Sequence, residues 1–157
     1  MIWVAYRRDD ADVQAILENP ESVDELLEED DDETSVEVDK AWHGIHWLLT
    51  GSGNPTDSPS SDVIFGGQPF GEDLGFGPAR MLSAPGVRRV AALLASLGDD
   101  VFRGRMDSAA MQRAELYPEI WDEENLLDEY LLPALQRLRR FYKAAAEADQ
   151  SVIQTLC

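Results

Sequence analysis

"DKAWHGIHWLLTG", residues 39–51, sets two histidines and two tryptophans in one run that ends at a glycine. Trp42, Ile45 and Leu49 recur at helical spacing with Leu48 beside them, and His46 falls within that apolar face. Asp39 stands where an N-cap belongs, and Gly51 where a helix is expected to stop. The run is read as a core helix whose inner imidazole needs a partner, structural or functional. His43 shares its side with Trp47, one turn after Asp39, and is expected to be a carboxylate-supported surface ring.

Strands lie on both sides of this helix. "MIWVAYR" (1–7) alternates as a first strand with Ile2, Val4 and Tyr6 on one face, "TSVEV" (34–38) is a short second strand, and "SVIQTL" (151–156) closes the chain as another. "VIFGG" (63–67) resembles a strand ending in glycines, and "QPFGEDLGFGPARMLS" (68–83) an ordered, packed loop leading into a short extended segment. Helical patterns occupy "DVQAILEN" (12–19), capped by Asp9 or Asp10, and the amphipathic start of "ESVDELLEEDDDE" (21–33). More helices fill the second half: "PGVRRVAALLASLG" (85–98), "DDVFRGRMD" (99–107), "SAAMQRAELYP" (108–118) and the long segment 122–149, in which Pro133 should kink or break the helix. These elements predict an α+β fold: a small mixed or antiparallel sheet that includes both terminal strands, backed by several helices mostly from the C-terminal half. The 157 residues suit a single domain spanning 1–157, with an acidic segment at 18–39 and a polar loop at 51–62.

Charge narrows the function classes. The formal net charge is -18, and from Glu18 to Asp39 the chain carries about a dozen carboxylates and no basic residue. Such a field repels phosphate backbones and anionic lipid headgroups, so no nucleic acid and no membrane is expected as a partner, whereas a basic protein is. The lone Cys157 excludes an internal disulfide framework and fits a reducing cytoplasm. The N-terminus lacks the order of a secretory signal, and no apolar run approaches a membrane span.

No complete catalytic or metal-binding set emerges. His43 and His46 are three apart, where the zinc-protease helix motif needs four and a glutamate, and "EEDDDE" (28–33) lacks the spaced oxygens and glycine of a calcium loop. There is no nucleophile elbow, and "GSGNPTDS" (51–58) lacks the lysine ending of a phosphate loop. No metal and no cofactor is expected. "GEDLGFGPAR" (71–80) is more informative: glycine hinges can bring Glu72 and Asp73 to Arg80, either to bind a polar ligand or to lock the loop by an ion pair, and the lock is favoured.

"VDKAWHGIHWLLTG" (38–51), "VIFGGQPFGEDLGFGPAR" (63–80) and "ELYPEIW" (115–121) occur in the order found in the YfbM-like family, uncharacterised bacterial proteins that form a domain of unknown function, and the chain resembles that family over nearly its whole length. The resemblance implies a cytoplasmic α+β domain with no established activity. By motif it carries over Asp39, Lys40, Trp42, His46, Leu49, Thr50 and Gly51 from the first run. From the second it carries Gly66, Gly67, Glu72, Asp73, Gly75, Gly77, Pro78, Ala79 and Arg80, and from the third Tyr117, Pro118 and Trp121. The opening "MIWVAYRRDD" departs from the family's glycine-containing start, and the acidic block is heavier, so a shared partner is not implied.

Two functional expectations follow. The first is a non-catalytic acidic binding protein, of the inhibitor or immunity kind, for a basic protein. The alternative is a small-molecule binder or enzyme whose pocket joins the His46 helix to the Glu72–Arg80 loop. Its candidate ligand or partner residues are His46, Thr50, Glu72, Asp73, Arg80, Tyr117 and Trp121.

Overall fold

The first and last strands, β1 (Trp3–Arg8) and β5 (Ser151–Leu156), pair antiparallel from Trp3 opposite Leu156 to Arg8 opposite Ser151 in the computed structural model, which describes residues 1–29 and 31–157. β2 (Ser35–Glu37) lies outside β1, while β4 (Pro78–Leu82) and then β3 (Gln68–Asp73) extend the other side, all antiparallel, in the order β2-β1-β5-β4-β3. The fold is α+β, with both terminal strands inside the sheet. Alternation along the strands sends side chains to two cores. Val4, Tyr6, Ala79 and Ile153 meet the helices α1 (Asp10–Glu18) and α2 (Val23–Leu27) through Ile16, Val23 and Leu26. Trp3, Ala5, Leu82 and Val152 face the larger core on the other side.

That larger core is built by α3 (Trp42–Thr50), α4 (Asp62–Phe65), α5 (Ala84–Ser96), α6 (Asp99–Arg105), α7 (Ser108–Arg113) and α8 (Leu132–Glu147). Pro133 sits in the first turn of α8, directly after a π-helical turn over Leu127–Leu131, so the expected break is absorbed by one wide turn.

Three expected elements differ. "VIFGG" is the one-turn helix α4, closed by the Gly66 amide on the Asp62 carbonyl at 3.1 Å; so short an apolar run has no periodicity to separate helix from strand. Residues 68–82 form the β3–β4 hairpin, because Gly75 and Gly77 at φ 109 and 103 supply a turn that L side chains rarely adopt. Asp39 does not cap α3: at φ 48 it is left-handed, whereas an N-cap is extended, and its carboxylate accepts from the Tyr130 hydroxyl at 3.3 Å. Gly51, by contrast, terminates α3 in the left-handed conformation at φ 73, its amide on the Trp47 carbonyl at 2.7 Å.

Gly44 explains how α3 meets the segment after α7. A Cβ there would lie 2.7 Å from Cζ3 of the buried Trp121 ring and 3.1 Å from Leu131, so only glycine admits the indole. Gly44→Ala should therefore destabilise the protein by about 1–3 kcal/mol despite alanine's better helix propensity. Gly104→Ala on the open face of α6, where a Cβ meets nothing within 4 Å, should stabilise by up to about 1 kcal/mol. Urea unfolding midpoints of the two variants, moving in opposite directions, check the assignment.

Candidate functional site

His43 and His46 leave α3 toward the loop that follows it. His46 is fully buried, its Nε2 lies 2.9 Å from the Asn54 carbonyl, and the Phe65 ring meets it edge-on at 4.9 Å. A carbonyl can only accept, so Nε2 carries the proton; burial disfavours the charged ring, and in the neutral form Nδ1 is a buried acceptor with no hydrogen-bond partner. Thr50 supports this arrangement: its hydroxyl bonds to the His46 carbonyl at 2.8 Å and accepts from the Ser52 amide at 3.1 Å. Ser52, Thr56, Ser58 and Ser61 continue the pattern, each hydroxyl taking a nearby backbone amide, so the polar loop is ordered by its own side chains.

His43 is no carboxylate-supported surface ring. Half-buried and stacked on Trp42 at 4.6 Å, it donates from Nε2 to the Gly53 carbonyl at 2.7 Å and accepts at Nδ1 from the Tyr117 amide at 2.9 Å. Both ring nitrogens are thus used by backbone, which defines one neutral tautomer and ties the loop to the Tyr117 segment. The Tyr117 hydroxyl in turn accepts from the N-terminal ammonium at 3.1 Å. Trp121, expected to serve a ligand or partner, is wholly buried, donating its indole N–H to the Leu116 carbonyl at 2.7 Å. It is a core residue.

The hairpin does not form the expected ion-pair lock. Asp73 Oδ1 accepts from the amides of Gly75 (2.7 Å) and Gly77 (2.9 Å), which hold its carboxyl below the ordinary 3.8, and Glu72 is exposed beside it. Each carboxylate thus serves the turn or the solvent. Arg80, four residues past the tip on β4, instead donates from Nη2 to the Gly67 carbonyl at 2.8 Å. Its head borders an open polar cleft of about 510 Å³ shared with Thr56, Asp57, Ser61, Asp62 and Arg89. Of the candidates, His46 and Thr50 therefore belong to one network, Tyr117 joins it only through His43, and Glu72 and Asp73 stand apart at the hairpin tip.

Around Arg80 lie residues that motif analysis missed. Trp3 donates to the Ile64 carbonyl at 2.9 Å, Tyr142 to that of Val63 at 2.8 Å, and Gln154 to that of Gly66 at 2.6 Å. The available signal was Gln154 itself, an amide set in the apolar run of a closing strand, where burial demands a partner.

The family model for a domain of unknown function, DUF1877, matches residues 1–155. The chain belongs to the DUF1877 family. A crystal structure of YfbM from Escherichia coli, a protein of unknown function, superposes with a TM-score of 0.78 at 19% identity, covering 98% of this chain and 98% of that one. At that identity the likeness concerns the fold. No curated protein matches the chain. Within the DUF1877 fold seen here, two of the three sequence motifs meet through His43 with Tyr117 and Gly44 with Trp121, and the second meets the terminal strands through the carbonyls of residues 63–67.

Burial holds both imidazoles below their ordinary 6.5, against the opposing pull of the Gly53 and Asn54 carbonyls. As pH falls the unfolded chain therefore takes up these protons first. The stability due to neutral histidines is complete above about pH 6.5 and is lost as pH drops through the lower folded-state values. Exposed carboxylates held low, such as Asp73, act in the same direction only near and below 3.8. Urea midpoints measured between about pH 7.5 and pH 5 should fall in the wild type and fall less steeply in His43→Gln.

Proposed function

We propose that this protein is a non-catalytic binding protein, of the inhibitor or immunity kind, that engages a basic protein through its acidic α1–α2 face in the cytoplasm. The observation that supports this is segregation of charge. Asp10, Asp12, Glu18, Glu21, Asp24, Glu25 and Glu28 are all exposed on the layer covering one face of the sheet, and no Lys or Arg occurs from residue 9 to residue 39. Asp30 lies outside the described residues. The nearest guanidiniums are already engaged: Arg8 pairs with Glu29, and Arg7 bonds to the Glu33 carbonyl and to Gln150. The exposed carboxylates thus face a cationic surface with little internal neutralisation, an arrangement that speeds encounter and selects against nucleic acid and anionic membranes. Among the described residues no helix is long and apolar enough to cross a membrane.

The enzyme alternative draws less from the geometry. None of His46, Glu72, Asp73, Arg80 and Tyr117 hydrogen-bonds another through its side chain, and His46 is occupied by backbone. General acid–base work needs a group within reach of substrate, and this imidazole is sealed under the loop.

The wild-type chain and an E21Q/D24N/E25Q/E28Q variant, immobilised side by side, test the proposal. A basic protein captured from the host cytoplasm, then purified and returned alone, should bind the wild type, weaken as salt rises from about 50 to about 300 mM, and bind the variant at least about tenfold less. Capture of no basic protein, or equal binding to both chains, would count against the acidic face. The four carboxylates are exposed, so the variant should unfold at the same urea concentration as the wild type.

A further inference from the structure

The open cleft of about 510 Å³ beside Arg80 carries charges of both signs that do not pair with one another. Asp57 comes from the polar loop and Asp62 from the start of α4, while Arg80 and Arg89 come from β4 and α5. Arg89 turns back along its helix: its Nη2 lies 3.6 Å from where a Cβ on Gly86 would be. That same Cβ would lie 2.5 Å from Cδ1 of Leu82, which lines the cleft, so the guanidinium sits over this wall. Among the described residues it has neither a hydrogen-bond nor an ion-pair partner. Arg80 is held through Nη2 at the carbonyl of Gly67, another lining residue; its Nε is sealed, but Nη1 keeps solvent-accessible surface and has no partner. Neither Asp57 nor Asp62 forms an ion pair among the described residues. In a chain of net charge -18 whose other guanidiniums mostly meet carboxylates or carbonyls, two cations and two anions left apart in one cleft are unexplained by the fold.

We propose that this cleft binds a small zwitterion of the amino-acid type, a free amino acid or a dipeptide. Its carboxylate accepts from Arg89 and from Nη1 of Arg80, and its ammonium donates to Asp57 and Asp62. Charge decides between classes of ligand. A simple anion meets two carboxylates and the field of an acidic chain, and a simple cation meets two guanidiniums, whereas a molecule bearing both charges is opposed by neither set. The guanidinium of Arg89 has its full fork of N–H groups free, which matches two carboxylate oxygens. Phe65, Leu82 and Pro55 add apolar surface for a small aliphatic side chain. A volume of about 510 Å³ falls within the range of roughly 300–1,000 Å³ common to small-molecule sites, and it accommodates a dipeptide as well as a single residue. Leu82 and the larger core lie on the opposite face of the sheet from α1–α2, so occupancy of the cleft does not depend on the acidic face or its partner.

Amide resonances of the full chain, followed by NMR at constant ionic strength, provide the test, with L-alanine and L-alanyl-L-alanine as the probes. At least one should shift the Gln68, Leu82 and Gly86 amides saturably, with a dissociation constant of about 1 mM, and the tighter of the two sets the length of the ligand. N-acetyl-L-alanine, which lacks the ammonium, and L-alaninamide, which lacks the carboxylate, should each bind at least about tenfold more weakly. Two variants separate the ends of the site. Arg89→Gln should weaken the zwitterion about tenfold without weakening L-alaninamide, and Asp57→Asn should weaken it about threefold without weakening N-acetyl-L-alanine. Both side chains are exposed, so the urea midpoints should match that of the wild type. Absence of a saturable shift up to about 50 mM of either zwitterion, an equal response to one of the singly charged analogues, or wild-type affinity in either variant overturns the proposal.

Discussion

A one-turn helix leaves its backbone carbonyls without partners, and a buried carbonyl without a donor costs about 1–3 kcal/mol. The segment 63–67 carries that cost at four carbonyls, and a donor from a different element relieves each. Trp3 of β1, Tyr142 of α8, Gln154 of β5 and Arg80 of β4 donate to the carbonyls of Ile64, Val63, Gly66 and Gly67. The donors come from both ends of the chain and from its longest helix. The segment can thus be satisfied only after the terminal strands have paired and α8 has docked, which makes it a point where distant parts of the sequence must agree. Gly67 is part of the same constraint: at φ 91 it brings the chain against β4, where a Cβ would lie 2.6 Å from the Leu82 nitrogen.

Many interior polar groups share one pattern. Several of the buried and half-buried rings and hydroxyls are turned toward backbone groups: His43 and His46 toward Gly53 and Asn54, Trp121 toward Leu116, Tyr142 toward Val63. Side chains used this way replace regular secondary structure in stretches of loop that pass close to the core. The cationic groups are consumed similarly, with Arg105 on the Leu48 carbonyl and Arg139 on that of Leu97 beside its pair with Asp99. A chain with 13 basic and 31 acidic residues spends much of its positive charge on its own framework, and the acids are left to the surface.

Periodicity and terminators revealed most of the architecture. "MIWVAYR" and "SVIQTL" alternate, Gly51 ends α3, Pro85 opens α5, and Asp107 caps α7 by accepting from the Ala110 amide at 2.9 Å. What stayed hidden was decided by contacts distant in sequence. A four-residue apolar run such as "VIFG" has no period of its own, and its helical state depends on Tyr142 and Gln154, about 80 to 90 residues away. Asp39 is of the residue type that caps helices, yet its backbone is left-handed at φ 48 and its carboxylate takes the Tyr130 hydroxyl, 91 residues on. The site is legible only in part: His46 reads as the inner imidazole of a core helix, but its partner is the Asn54 carbonyl of the next loop and not the Glu72–Arg80 loop, and the expected ion pair with Arg80 does not form because the adjacent Gly75 and Gly77 amides donate to Asp73. For His43 the deciding partner, the Tyr117 amide, lies 74 residues on, out of reach of any local pattern.

The division of histidine and arginine roles bears on where chemistry can reside in this fold. An imidazole whose two nitrogens are committed to backbone, as in His43, cannot exchange a proton with a ligand without releasing a structural bond, and His46 is enclosed besides. A guanidinium is different. It has five N–H groups, remains charged under all ordinary conditions, and can satisfy a carbonyl with one hydrogen while keeping others for a guest. Arg80 satisfies the Gly67 carbonyl through Nη2, while its Nε is buried without a partner and without surface that a guest could reach. The same bond that secures the turn after α4 therefore also fixes a cation beside the open cleft that it shares with Asp57, Asp62 and Arg89.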